Sequence, residues 1–149
     1  MTLEKAQKIL KVMGIITLVG AAVSLGLGVL AIAGGSYAAA NMPEMQTNVE
    51  YQKAAGVIIG GGIGLIVVAL LNLIEGIITL LSSKQNKYAT ATMIITIVSL
   101  VLTVMNGVSG MMRPSIDYTS LISFIASVAI DIVVIYAAKT IRDVYVADK

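Results

Sequence analysis

The chain has 149 residues, 58% of them hydrophobic and 12% charged, with a formal net charge of +2; a soluble domain carries about 25% charged residues, so lipid is the solvent that suits most of it. It contains no Cys and no His, which removes disulfides, thiolate chemistry, the commonest general base and the commonest metal ligand. Most zinc, haem and Ser–His or Cys–His sites fall with them. No metal or other cofactor is expected, and no nucleophile–base pair points to an enzyme.

The first apolar run covers residues 12–33 and follows Lys5, Lys8 and Lys11. With Ser36, Tyr37 and the alanines behind it, this start resembles a secretory signal. Its run of about 22 residues outlasts the 7–15 of a signal core, so an uncleaved first span is expected. Gly20, Ser24 and Gly28 recur in it every four residues. An outer loop over residues 34–53 follows, with an irregular turn at Asn41-Met42-Pro43-Glu44-Met45, because proline restricts the residue before it and breaks helix. Residues 48–53 are expected to begin the second helix.

The second span covers residues 54–81. Gly56, Gly60 and Gly64 form a stripe of small residues in its first half. Such stripes let two backbones approach closely in lipid, and the matching depth of Gly20, Ser24 and Gly28 predicts that spans one and two zip together there. Self-association is the other use of such a stripe. Further on comes Glu75, with Asn72 and Thr79 three and four residues away on the same helix face.

Spans three and four cover residues 88–112 and 118–138. The third carries Thr96. The fourth carries Asp131, with Ser127 four residues before it. About 13 residues separate Tyr118 from Asp131, too few to cross 30 Å of hydrocarbon at 1.5 Å each. Asp131 is therefore expected inside the membrane. After Lys139 the apolar pattern continues through Ile141, Val144 and Val146, which predicts a helical extension beyond the lipid.

Only helices or closed barrels satisfy backbone groups in hydrocarbon. Long continuous apolar runs predict an all-α, four-helix transmembrane bundle of two helical hairpins, forming one membrane domain over residues 1–149. Lys5, Lys8, Lys11, Lys84, Lys87, Lys139, Arg142 and Lys149 lie on one side of this arrangement, and only Lys53 and Arg113 on the other. The positive-inside bias places both termini in the cytoplasm. Gly14–Val19 in the first span matches Met93–Val98 in the third, a pattern that suggests a duplicated hairpin.

Counting from the cytoplasmic ends gathers Thr17, Asn72, Glu75, Thr79, Thr96, Ser127 and Asp131 at one depth. An ionised carboxylate there costs several kcal/mol unless paired, hydrated or neutralised. Two readings follow. The groups hydrogen-bond across helices and fix their register, each contact contributing roughly 0.5–2 kcal/mol, or they form a proton or cation site.

Lys8-Ile9-Leu10-Lys11 before the first span, Asn72-Leu73-Ile74-Glu75-Gly76 in the second and Tyr136-Ala137-Ala138-Lys139 closing the fourth resemble small uncharacterised four-helix bacterial integral membrane proteins. That resemblance implies a bacterial inner membrane and no particular activity. Four helices with glycine stripes and an acid also resemble duplicated proteolipid subunits of rotary ATPases. There the glycine-rich helix precedes the acid-bearing one, whereas here Gly56, Gly60 and Gly64 share a helix with Glu75. Small multidrug resistance transporters carry their essential Glu in the first span, which here holds no acid.

The expected function is therefore non-enzymatic. A tetraspan protein acts through helix packing, as an oligomer or an accessory subunit of a membrane complex, with the lipid bilayer and not nucleic acid as its surroundings. The alternative is a small proton- or cation-linked transporter or channel using Glu75 and Asp131.

Overall fold

The computed structural model describes residues 1–43, 47–111 and 118–147. Glu44 and Met45 of the expected turn, and Arg113, lie outside these. Among the described residues the chain is all-helical, with four long helices: α1 (Leu3–Asn41), α2 (Val49–Ser82), α3 (Ala89–Met111) and α4 (Tyr118–Ala147). All four are long and apolar enough to cross a membrane. The chain has the architecture of a multi-pass integral membrane protein.

The helices outrun the apolar segments because polar residues extend them at both ends. At 39 residues, α1 is roughly 58 Å long, against about 30 Å of hydrocarbon. Thr2 caps it, its Oγ1 accepting from the Lys5 backbone N–H at 3.4 Å. Asn48 caps α2 in the same way, with Oδ1 accepting from the Glu50 N–H at 2.9 Å. These side chains satisfy N–H groups that the first helical turn leaves orphaned. Glu4 and Glu50 sit in the same first turns, where a carboxylate favours the helix dipole. At the far end, α4 runs on past Lys139 to Ala147.

A tight connection joins α2 to α3. The N–H groups of Lys84 and Gln85 both bond the Leu81 carbonyl, at 3.0 and 2.8 Å. Ser83 Oγ donates to the Leu80 carbonyl at 2.7 Å. A single 3-10 turn, Asn86–Tyr88, then feeds α3.

The chain divides into two compact units: unit 1 comprises Met1–Ile15 and Glu75–Lys149, and unit 2 comprises Ile16–Ile74. In unit 1, Ala6 and Leu10 of α1 form an apolar core with Ala89 of α3 and Val134, Ala137, Ala138 and Ile141 of α4. Along the spans themselves few residues are buried. Ile16, Val19, Val57, Leu71, Ile94 and Ile122, for example, are all exposed. Apolar surface on that scale is untenable in water and is what a lipid-facing helix presents.

Unit 2 consists of parts of α1 and α2 held at glycines. A Cβ placed on Gly28 would sit 2.8 Å from the Gly62 carbonyl oxygen, and one on Gly62 would sit 2.8 Å from the Gly28 carbonyl oxygen. A Cβ on Gly35 would sit 2.8 Å from the Ile59 side chain and 3.5 Å from the Ala55 carbonyl oxygen. Ala21 and Ala69 are fully buried at the intervening register position. The buried small residues therefore step by seven along α1 (Ala21, Gly28, Gly35) and by seven back along α2 (Ala69, Gly62, Ala55).

Unit 1 repeats this interval once more. A Cβ on Gly14 would lie 2.9 Å from the Leu80 nitrogen and 3.1 Å from the Gly76 carbonyl oxygen. Gly14 lies seven residues before Ala21, and Gly76 seven after Ala69.

This corrects the expected four-residue stripe. Of its members only Gly28 makes a close helix contact. Gly20, Gly56, Gly60 and Gly64 have open space where a Cβ would be, and Ser24 is half-buried. The physical reason is the helical period. A four-residue step turns about 40° past a full rotation count, while a seven-residue step drifts by only about 20°. The slower drift keeps small residues on one seam over a helix of this length, and it suits the left-handed crossing of about +20°.

Candidate functional site

The polar residues of unit 1 meet where α2 packs against α3. On α2, Glu75, Thr79 and Ser82 follow each other at four- and three-residue steps; on α3, Ala89, Thr92, Thr96 and Ser99 do the same. That alternation keeps each set on one face. The α3 face is small or hydroxyl-bearing throughout, which brings hydroxyl groups within reach of the partner helix.

Ser82 and Thr92 hydrogen-bond each other through their hydroxyls. Thr92 Oγ1 also lies 3.3 Å from the Ile78 carbonyl oxygen of α2. One turn further along, Thr96 Oγ1 donates to Glu75 Oε1 at 3.3 Å, and Ser99 is a second hydrogen-bonding group for the same carboxylate. Ser82, Thr92, Thr96 and Thr79 are all buried. Among the described residues no buried side-chain polar atom is left without a partner, which meets the requirement that lipid imposes on polar groups.

Asp131, on α4, is half-buried. Its carboxyl lies close enough to Glu75 for the two charges to act on each other. Among the described residues neither carboxylate forms an ion pair with Lys or Arg; the ion pair present is Arg142–Asp143, at 2.8 Å, near the end of α4. No group of three or more His, Cys, Asp or Glu among the described residues has the arrangement of a metal site.

The residues of the expected polar layer fall in both units. Glu75, Thr79, Thr96 and Asp131 belong to unit 1, while Thr17 and Asn72 belong to unit 2, where both are half-buried. Ser127 is exposed, so its spacing before Asp131 does not fold it inward. Sequence reasoning missed Ser82, Thr92 and Ser99. The signal was present in the unbroken run of small or hydroxyl residues at positions 89, 92, 96 and 99, at helical spacing. Ser82 escaped notice because it directly precedes the lysine-bearing loop and reads as part of it.

No family model, no curated protein and no solved structure matches the chain.

Proposed function

We propose that this chain is a non-enzymatic tetraspan protein of the cell membrane that acts through helix packing, as a homo-oligomer or an accessory subunit. The observation that carries this reading is the open glycine face of α2. Gly56, Gly60 and Gly64 face empty space, while the contact between α1 and α2 in unit 2 uses the separate Ala55, Gly62 and Ala69 positions. A four-residue glycine stripe on a lipid-exposed helix suits a right-handed helix–helix contact, and a neighbouring chain can supply the partner. The polar groups of unit 1 serve the same reading, because their hydrogen bonds hold α2 on α3. In this reading the chain forms two hairpins, α1 with α2 and α3 with α4, and the lysine excess keeps both termini in the cytoplasm.

The test is self-association in bilayer nanodiscs or by cross-linking in membranes. Gly60→Leu is expected to leave a folded monomer and to abolish association. An oligomer unaffected by Gly60→Leu, or a wild-type chain that stays monomeric and captures no membrane partner, would refute the proposal.

One observation favours a second reading, a proton- or cation-linked transporter. Glu75 and Asp131 are neighbouring carboxyls without a basic partner among the described residues. Intramembrane acids of that kind are functional candidates. Asp131→Asn is then expected to keep the fold and abolish ion-dependent flux in proteoliposomes. Unchanged flux, or no flux in the wild type, counts for the packing reading.

A further inference from the structure

The end of unit 1 built from the start of α1, the α2–α3 connection and the end of α4 gathers cations from three separate stretches of sequence. Its small apolar core holds Ala6, Leu10, Ala89, Ala138 and Ile141 together. Gln7 Nε2 of α1 donates to Asn86 Oδ1 of the connection at 3.3 Å, tying those two stretches directly. Around this core stand Lys5, Lys8, Lys11, Lys84, Lys87 and Lys139, all exposed.

Their charge is not cancelled locally. Among the described residues no ion pair takes up any of these lysines. Asp143 is engaged by Arg142, which leaves exposed Glu4 as the described acid beside six ammonium groups. A soluble surface intersperses the two signs; this end does not.

The height of four of these lysines is set by sequence. Lys11 adjoins Val12, Lys87 adjoins Tyr88, Lys139 adjoins Ala138, and Lys84 follows Leu81 by three residues. Each therefore stands within about one helical turn of the end of an apolar span, at the level of lipid phosphates and not out in bulk water. Lys87 Nζ lies 4.9 Å from the centre of the Tyr88 ring, and tyrosine favours the headgroup level. Lysine stems that run along apolar surface deliver their ammonium groups to that level.

We propose that this end of unit 1 is a docking surface for anionic phospholipid headgroups, with Lys11, Lys84, Lys87 and Lys139 as the phosphate-facing cations. Lys5 and Lys8, one to two turns further along α1, extend the attraction beyond the phosphates. Lipid fits better than an acidic protein, because the four inner lysines form a rim at the membrane boundary where headgroups are always present. The proposal does not depend on which side of the membrane this end occupies, so it stands or falls separately from the self-association reading.

The experiment is native mass spectrometry of the full-length chain in detergent, titrated with phosphatidylglycerol or phosphatidylcholine. Wild type is expected to retain phosphatidylglycerol preferentially, with the preference shrinking as salt rises. Each lysine removed is expected to weaken retention roughly fivefold at low salt. The combined Lys11→Gln, Lys84→Gln, Lys87→Gln and Lys139→Gln variant then loses the preference, while the corresponding four Lys→Arg replacements keep it. Equal retention of the two lipids, a preference insensitive to salt, or a preference surviving in the glutamine variant would overturn the proposal. So would equally effective competition by inorganic phosphate, which marks a free-anion site, or by polyglutamate, which marks an acidic protein partner. If the glutamine variant fails to fold, the wild-type salt dependence and the arginine variant still decide the matter.

Discussion

The two units hold their helices together with opposite chemistry. In unit 2, α1 and α2 meet closely at glycines, Gly28 and Gly62 each against the other's carbonyl, with Ile32, Ile59 and Ile66 side chains packed over them. In unit 1, α2 and α3 meet through hydroxyl groups that bond one another and the Glu75 carboxylate, beside a small apolar core. Lipid offers no hydrophobic drive between helices, so close packing and hydrogen bonding are the two available sources of attraction. The contact between α1 and α2 uses the first, in unit 2 and again at Gly14 in unit 1, and the contact between α2 and α3 uses the second. The difference teaches where substitutions will be felt. A glycine seam fails when anything is added, whereas a hydroxyl seam fails when one partner is removed.

The strongest way to break this comparison is to add bulk to the glycine seam. Gly28→Leu forces a side chain into the Gly62 carbonyl and is expected to cost about 3 kcal/mol or more, read as a fall in stability on unfolding in mixed micelles. Gly28→Ala should already be felt, because its Cβ alone lands 2.8 Å from that oxygen. A neutral Gly28→Ala would show that the seam is looser than described.

The hydroxyl seam should respond to deletion with smaller losses. Thr92→Val leaves Ser82 buried without its partner and is expected to cost about 1–2 kcal/mol. Adding Ser82→Ala to Thr92→Val should cost less than the two single effects summed, because the orphaned group is removed as well. Strict additivity in that cycle would show that the two hydroxyls are not coupled. Thr96→Val is expected to cost less, about 0.6 kcal/mol, because Ser99 remains available to Glu75.

The smallest effect should come from glycines outside the seam. Gly64→Ala meets nothing within 4 Å and is expected to be neutral or to stabilise the helix by up to about 1 kcal/mol. A large loss there in the monomer, measured on the same scale, would place Gly64 in a contact within the chain and erase the distinction between the two faces of α2.

The spans were legible because charge is so scarce. Runs such as residues 12–33 have no alternative to a membrane helix, and Pro43 and the lysine pair at Lys84 and Lys87 mark their breaks. Glu75 and Thr79 were noticeable because polar residues stand out in an apolar helix. The seam between α1 and α2 was not. The chain has 14 glycines and many alanines, so small residues recur at four, at seven and at several other spacings at once. Only distances choose among them, and the seven-residue set depends on Ala21, Ala55 and Ala69, which carry no signal by themselves. Ser127 shows the converse. It is correctly spaced from Asp131, yet α4 presents it outward.

A seam that repeats every seven residues also has a property of a toothed rack. If α1 slid along α2 by one tooth, roughly 10 Å at 1.5 Å per residue, glycine and alanine would again meet glycine and alanine. The teeth decide which sides of the helices face, and they are nearly indifferent to how far one rod is pushed past the other. The first turns of α1, in unit 1, are fixed by another means: Ala6 and Leu10 enter an apolar core and Gln7 holds Asn86. Those contacts admit a single register, which the repeating seam by itself does not impose.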